Sequence, residues 1–485
     1  MTKDAEPELA AAGGNVDVAV IGGGLGGLCA AIAAAGRGLR VVVVRRGLGA
    51  TAMSSGGLDF PDRLPSLFGR EDAGIAPAEA ASGIAPAEAA EILRGWCAAA
   101  GAELAGHPGQ PLPLLDIAGH VRSTNLALVQ HAAGRVDRWD GRRVLFLEVE
   151  GYAPFRAEWV KRMVVARGLA VEDRVTAGVV AVPGLEGEAN LPAARIARAL
   201  EEGDTAARFG LRVAKAARQA GAELVALPPV LGFERAAWVY ETVMAAIAGA
   251  ASGSAASRPA ASGPAVTAFE LLSPPPSLPG QRLQRLLDGA ALAAGVEVVP
   301  GRVVGFGTAT LATTVAAGAP AGAEASAGAE APPPSVTSLE IASHGRIWVL
   351  EADEFVLAAG TFIAGGLRSV GQRVSEPLFG LSVFAPPPPG WPPGEIPVGD
   401  RPVREMVWER FDARHPIFEA GLAVDRDLRP LEASGRVSFA NLRAAGSVIG
   451  GYNRFADGAG SGVAAVTGLA AGHLAAAAVE RRRSG

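Results

Sequence analysis

The first apolar run of the chain, VDVAVI at Val16–Ile21, is rich in β-branched residues and reads as a buried strand. An Ala-rich segment at 28–35, closed by Gly36 and Gly38, predicts a helix, and the apolar run at 39–44 a second buried strand. The same alternation returns downstream. Strand-like 142–148 precedes a helix over 158–168, and strand-like 223–228 precedes a helix over 238–247. A strand at 269–272 leads into the helical LPGQRLQRLLDGAALAAG and a further strand at 296–300. The runs at 302–305, 338–342 and 347–350 predict a small antiparallel sheet. Residues 354–360, EFVLAAG, form a separate strand ending in small residues. The unit 441–472 gives a strand into Ala444-Ala445-Gly446, a glycine loop, and a helix from about Ser461. Alternating strands and helices predict an α/β fold.

The expected organisation is a discontinuous Rossmann-like domain from 16–60, 267–306, 336–370 and 430–480, with an inserted α/β domain over 61–248. Two low-complexity stretches, a linker at 249–265 and an insert over 308–335, read as surface excursions without chemistry. The duplicated AGIAPAEAA and SGIAPAEAA within 73–90 has two copies and reads as local slippage. The proline run at 386–393 predicts a surface loop, and residues 1–14 lack the pattern of a secretory signal.

Composition narrows the class. The chain has 485 residues, 49% hydrophobic, with a formal net charge of −5, so it has ample core and no basic surface suited to nucleic acid. Its two cysteines, Cys29 and Cys97, cannot ligate a four-cysteine iron–sulfur cluster. His107, His120 and His131 are scattered and predict no metal site. The apolar stretch 462–479 is built from Ala, Gly and Val and carries His473, which favours a buried helix over a membrane span.

The chemistry begins at the first turn. Gly22, Gly24 and Gly27 form G-x-G-x-x-G between a strand and a helix, with a second strand behind. The first glycine permits the turn, the second lets backbone approach a pyrophosphate, and the third lets helix and strand pack. The helix N-terminus faces the phosphates with its positive end. This context predicts a dinucleotide or flavin. One position departs from the motif. Arg45 and Arg46 stand where an acidic residue commonly holds the adenosine ribose.

Three glycine segments therefore converge: the first turn, the strand ending at Ala359-Gly360, and Asp457-Gly458-Ala459-Gly460-Ser461-Gly462 before the last helix. The combination resembles the flavoprotein superfamily of fumarate reductases and glutathione reductase. In that resemblance Ser54, Ser55, Gly56 and Gly57 lie near the flavin ring, and Gly446 and the last helix serve its pyrimidine end. More narrowly, the chain resembles the B-subunit family of bacterial anaerobic glycerol-3-phosphate dehydrogenase. The matching residues include SSGGLD at 54–59, ALPPVLGFERAAW at 226–238, LLSPPPSLPGQRLQ at 271–284, LAAGTFIAGGL at 357–367, EPLFGL at 376–381 and AAGSVIGGYNRFADGAGSG within 441–466.

The resemblance implies a flavin subunit that works with a related A subunit and an iron–sulfur membrane-anchor subunit. Together they oxidise glycerol 3-phosphate at its C2 hydroxyl to dihydroxyacetone phosphate and pass electrons to a quinone. It implies a cytoplasmic chain held peripherally at the inner face of the cell membrane. The family points to FMN, the glycine motif to FAD. Phosphate recognition needs arginine or lysine, and Arg282, Arg368 and Arg454 lie in or beside the matching motifs. A fumarate-reductase-like activity, with Arg454 as proton donor, and a non-catalytic electron-transfer or scaffold role are the competing expectations.

Overall fold

The computed structural model describes residues 16–68, 83–252, 266–309, 332–387, 396–397, 402–410, 412–454 and 456–485. Residues 1–14, most of both low-complexity stretches, the first repeat copy and most of the proline run lie outside the described residues. The chain divides into two units, one of Met1–Gly49, Arg63–Ala89 and Ala291–Gly485, the other of Ala50–Asp62 and Ala90–Ala290.

A parallel sheet organises the first unit. Its strands run in the order Glu297–Pro300, Val41–Arg45, Val16–Ile21, Arg346–Leu357, with Leu442–Ala444 beside the last of these. Val16–Ile21 is buried along its whole length, as a strand flanked on both sides requires. Strand Arg346–Leu357 replaces the two separate strands expected at 347–350 and 354–360. Its first half pairs antiparallel with Ser335–Ser343, which pairs in turn with Arg302–Ala309; its second half pairs parallel with Val16–Ile21 and Leu442–Ala444. The chain changes partners without leaving the extended conformation. The polar Glu351 and Asp353 therefore mark alternation along one strand rather than a break.

The first helix, Leu25–Ala35, begins three residues before the expected 28, directly at the glycine turn. It packs on the C-terminal helix Gly460–Ser484 through small residues. A Cβ on Gly468 would lie 2.3 Å from the Gly26 carbonyl oxygen, and one on Gly472 would lie 2.3 Å from that of Ala30. Gly460–Ser484 is long and apolar enough to cross a membrane by length and composition, yet 78% of its apolar window is buried inside the protein. Burying Val463, Val466 and Leu469 there is worth roughly 1.5–3 kcal/mol per side chain.

The second unit holds a four-stranded parallel sheet in the order Thr267–Glu270, Leu224–Leu227, Val144–Val149, Val175–Val180. Helices Ala157–Ala166, Thr205–Ala220 and Ala236–Ser252 contribute Val160, Phe209, Val213 and Val243 to one core with Phe146 and Phe269. Small antiparallel sheets precede it, one pairing Gly57–Leu58 and Leu104–Gly106 with Leu126–Leu128, another pairing Leu112–Leu115 with Val121–Thr124. Strand Thr267–Glu270 and most of helix Leu278–Ala293, grouped by sequence with the first domain, fall in this second unit, as do residues 50–60. The parallel pairing of Thr267–Glu270 with Leu224–Leu227 carries the strand there, and the pairing of Gly57–Leu58 with Leu126–Leu128 carries residues 50–60.

Candidate flavin site

The carboxyl ends of the first unit's parallel strands gather its glycine turns, the edge at which α/β sheets bind ligands. Gly22 has φ +112° and accepts no side chain, since a Cβ would lie 2.3 Å from the Ala358 carbonyl oxygen. A Cβ on Gly27 would lie 1.9 Å from the Gly22 carbonyl oxygen. Gly24 stands at the N-cap of the first helix, which has no side-chain cap and no acidic residue in its first turn. That end is shaped for an anion bound by backbone N–H groups. The Arg45 side chain lies across the turn, where a Cβ on Gly23 would come within 2.5 Å of its Cδ.

The neighbouring strands end in matching fashion. Gly360 and Gly446 have φ of +73° and +72°, and Ala445 N–H donates to the Leu357 carbonyl at 2.9 Å. Gly446 N–H donates to Thr467 Oγ1 at 2.8 Å, which ties the turn to the C-terminal helix. Ala359 directly precedes Gly360 in this edge. The loop before that helix is organised by Asp457, whose carboxylate receives Asn453 N–H at 2.8 Å and the Arg414 guanidinium at 2.5 and 3.0 Å. Gly458 follows with φ +55°, and Gly460, Ser461 and Gly462 open the helix. Asp457 thus fixes the loop that presents the helix N-terminus.

A small pocket opens on this edge, lined by Thr361, Phe418, Ala420, Ser447, Ile449, Tyr452 and Arg454. Arg454 Nη1 donates to Thr361 Oγ1. Burial pulls the Arg454 guanidinium below its ordinary value, with the neighbouring Tyr452 opposing, and burial pushes the Tyr452 phenol well up. The Tyr452 phenol therefore keeps its proton at neutral pH, and an arginine guanidinium keeps its charge in a protein by its own basicity. The sequence motifs point to Arg454 here but not to Thr361, Ser447 and Tyr452, although the first two directly follow the glycines of Ala359-Gly360 and Ala445-Gly446.

The other expected residues take different places. Ser54, Ser55, Gly56 and Gly57 belong to the second unit, where a Cβ on Gly56 would lie 2.4 Å from Pro279 Cβ and one on Gly57 would lie 2.8 Å from Thr124 Oγ1. The absence of a side chain at Gly56 and Gly57 permits this close packing within that unit. Arg282 is 2% exposed and bound by both oxygens of Glu270, at 2.5 and 3.2 Å, and by the Gly232 carbonyl at 2.8 Å. Arg368 is exposed on the hairpin of Arg368–Val370 and Arg373–Ser375. His415 is buried and its Nδ1 accepts Trp408 N–H at 2.9 Å. Cys29 and Cys97 are both buried, and burial pushes their thiols up, Cys97 to about 11. Among the described residues no group of three or more His, Cys, Asp or Glu could hold a metal ion.

The donor set fits a flavin with a phosphate-bearing tail: a glycine turn at one helix N-terminus, two further glycine-ended strands, and a second helix N-terminus. Residues 17–463 match the FAD binding domain family. Over 96% of this chain and 98% of its own length, the B subunit of the probable anaerobic glycerol-3-phosphate dehydrogenase of Halobacterium salinarum is 30% identical. The B subunit of the anaerobic glycerol-3-phosphate dehydrogenase of Actinobacillus succinogenes is 27% identical over 94% of this chain and 97% of its own. Among solved structures, 3-ketosteroid delta1-dehydrogenase from Sterolibacterium denitrificans aligns with a TM-score of 0.39 and 13% identity, covering 96% of this chain and 99% of that one. This chain is a flavin-binding oxidoreductase that belongs to the FAD binding domain family and to the family of anaerobic glycerol-3-phosphate dehydrogenase B subunits.

Proposed function

We propose that the chain is the flavin subunit of a quinone-linked glycerol-3-phosphate dehydrogenase that oxidises glycerol 3-phosphate to dihydroxyacetone phosphate. The observation that carries this is the end-to-end likeness to B subunits, 30% identical over 96% of the chain. The FAD binding domain match and the G-x-G-x-x-G turn favour FAD over FMN. Gly22, Gly24, Gly27, Ala359, Gly360, Gly446, Gly458, Gly460, Ser461 and Gly462 would hold it, with Asp457 fixing the last loop and Arg45 bordering the first. A bound flavin supplies a two-electron acceptor for the hydride that leaves C2. Arg454 would orient the substrate phosphate, supported by its place in a pocket with hydroxyl groups. Arg282 and Arg368 are less suited, the first being satisfied by Glu270 and the second lying on an exposed hairpin.

Electron delivery needs partners. With two buried cysteines the chain has too few thiolates for a cluster of its own. A related A subunit and a cluster-bearing anchor would complete the path to quinone and hold the chain peripherally at the inner face of the membrane.

The test is anaerobic. Purified wild-type protein, alone and mixed with its A subunit, is titrated with glycerol 3-phosphate while the flavin absorbance is followed. Bleaching in the mixture is expected, with no restoration by fumarate. No bleaching by glycerol 3-phosphate, together with reoxidation by fumarate of flavin first reduced with dithionite, would overturn the assignment in favour of a reductase. Gly22→Val serves as the control for the cofactor, because its Cβ would collide with the Ala358 carbonyl; it should purify without the flavin band.

A further inference from the structure

The Tyr452 hydroxyl is one of several buried side-chain polar atoms that have no hydrogen-bond partner among the described residues. The residue is 3% exposed. A buried hydroxyl left in that condition destabilises a fold, so each instance calls for a reason. The reason here is adjacent. Tyr452 lines the same pocket as the Arg454 guanidinium and the hydroxyl-bearing side chains of Thr361 and Ser447.

The chemistry of the wall is that of an oxyanion receptor. A guanidinium offers charge and a fork of N–H donors, and three hydroxyls offer single donors that rotate to suit. Ile449, Ala420 and Phe418 fill the remaining wall with apolar surface, which strengthens polar contacts made inside.

We propose that Tyr452 is a substrate-binding residue whose hydroxyl donates to an oxygen of the substrate's phosphate group alongside Arg454. This rests on the glycerol-3-phosphate reading for the identity of the tail, but the phosphate contact is testable without it. The phenol stays protonated because burial disfavours its anion, so Tyr452 donates and does not act as a base.

The experiment compares wild type with Tyr452→Phe, both full-length and carrying their flavin. The melting temperature of each is measured with and without inorganic phosphate, with sulfate and succinate as further arms. Removing an unmet buried hydroxyl should leave the phosphate-free melting temperature unchanged or raised. Phosphate should raise the melting temperature of wild type more than that of the variant, consistent with affinity about tenfold weaker on losing one hydrogen bond to a charged group. Equal phosphate shifts in the two proteins would overturn the proposal, as would no shift in flavin-loaded wild type. A shift with succinate alone would overturn it too and mark a carboxylate site. A lower phosphate-free melting temperature in Tyr452→Phe would show that the hydroxyl serves the fold. Thr361→Val is the second variant and should weaken phosphate binding in the same direction. Phosphate binding that depends on Tyr452 in a protein inert to glycerol 3-phosphate would keep this proposal and sink the assigned reaction.

Discussion

Each unit places a polar cluster at the carboxyl edge of a parallel sheet, and the two clusters are built on opposite principles. In the second unit Glu270 ends its strand and receives Arg282 through both oxygens and Leu231 N–H at 2.6 Å. In the first, Arg454 and Tyr452 border a pocket shared with Thr361 and Ser447, and the Tyr452 hydroxyl is unmet among the described residues. The edge of a parallel sheet is where ligands bind, but the position alone does not make a site. In the second cluster the buried Arg282 and Glu270 satisfy each other. The first keeps a buried tyrosine hydroxyl without a hydrogen-bond partner among the described residues.

Breaking the closed cluster should have the largest effect on the folded state. Arg282→Met strands a buried carboxylate, a change worth about 3–5 kcal/mol. The melting temperature should fall by several degrees with no selective loss of phosphate binding. Adding Glu270→Leu removes the stranded charge and should restore a good part of the loss. Little change in melting with weakened phosphate binding would instead make Arg282 a ligand residue and erase the distinction between the clusters.

The open cluster should respond in the opposite way. Arg454→Met removes a charged hydrogen-bond donor from the pocket, so glycerol 3-phosphate should bind roughly 10- to 100-fold more weakly. Its melting temperature in the absence of ligand should move far less than that of Arg282→Met. Anaerobic binding titration and thermal unfolding on the same preparations give the comparison directly.

These contrasts also mark what is readable in the sequence. The glycine turn, both flanking strands and the last helix are legible because backbone approach demands glycine at fixed spacing and buried strands demand apolar runs. The two arginines are equally legible as arginines. What distinguishes them is the counterion, and Glu270 sits 12 residues from Arg282 with nothing local to announce the pairing. Tyr452 escapes notice for the same reason, since an unmet hydroxyl is a property of what surrounds it. Helix Thr205–Ala220 has no counterpart among the expected elements, although Phe209, Val213 and Ala217 repeat every fourth position and are buried. The continuous strand Arg346–Leu357 reads as two because its change from antiparallel to parallel partners leaves no mark in composition. Motif order along the chain groups 267–290 with the first domain, whereas strand pairing follows the sheet.

The smallest expected effect concerns pH and His131, which belongs to the closed cluster. His131 is 1% exposed, and its Nδ1 lies 3.1 Å from the Glu270 carbonyl oxygen. A carbonyl only accepts, so the neutral ring carries its proton on Nδ1. Nε2 is left without a hydrogen bond, 3.9 Å from a Glu270 carboxylate oxygen. Burial lowers the His131 value in the folded state; the Glu270 carboxylate and backbone carbonyl oppose it, Arg282 adds to it, and the net shift is downward. The unfolded chain therefore takes up the proton first as pH falls. Stability should be fully present above the ordinary histidine value near 6.5 and decline below it, by at most about 1.4 kcal/mol per pH unit from this group. The window to measure is about pH 5 to 6.5, above the range where ordinary carboxylates protonate. His131→Asn keeps an N–H donor near Nδ1 and removes the titrating ring, so its melting temperature should fall less across that window than that of wild type. Parallel curves would mean that the ring takes its proton inside the folded protein. The closed cluster would then hold a charge that Glu270 already balances, and Arg282 would no longer be its sole counterion.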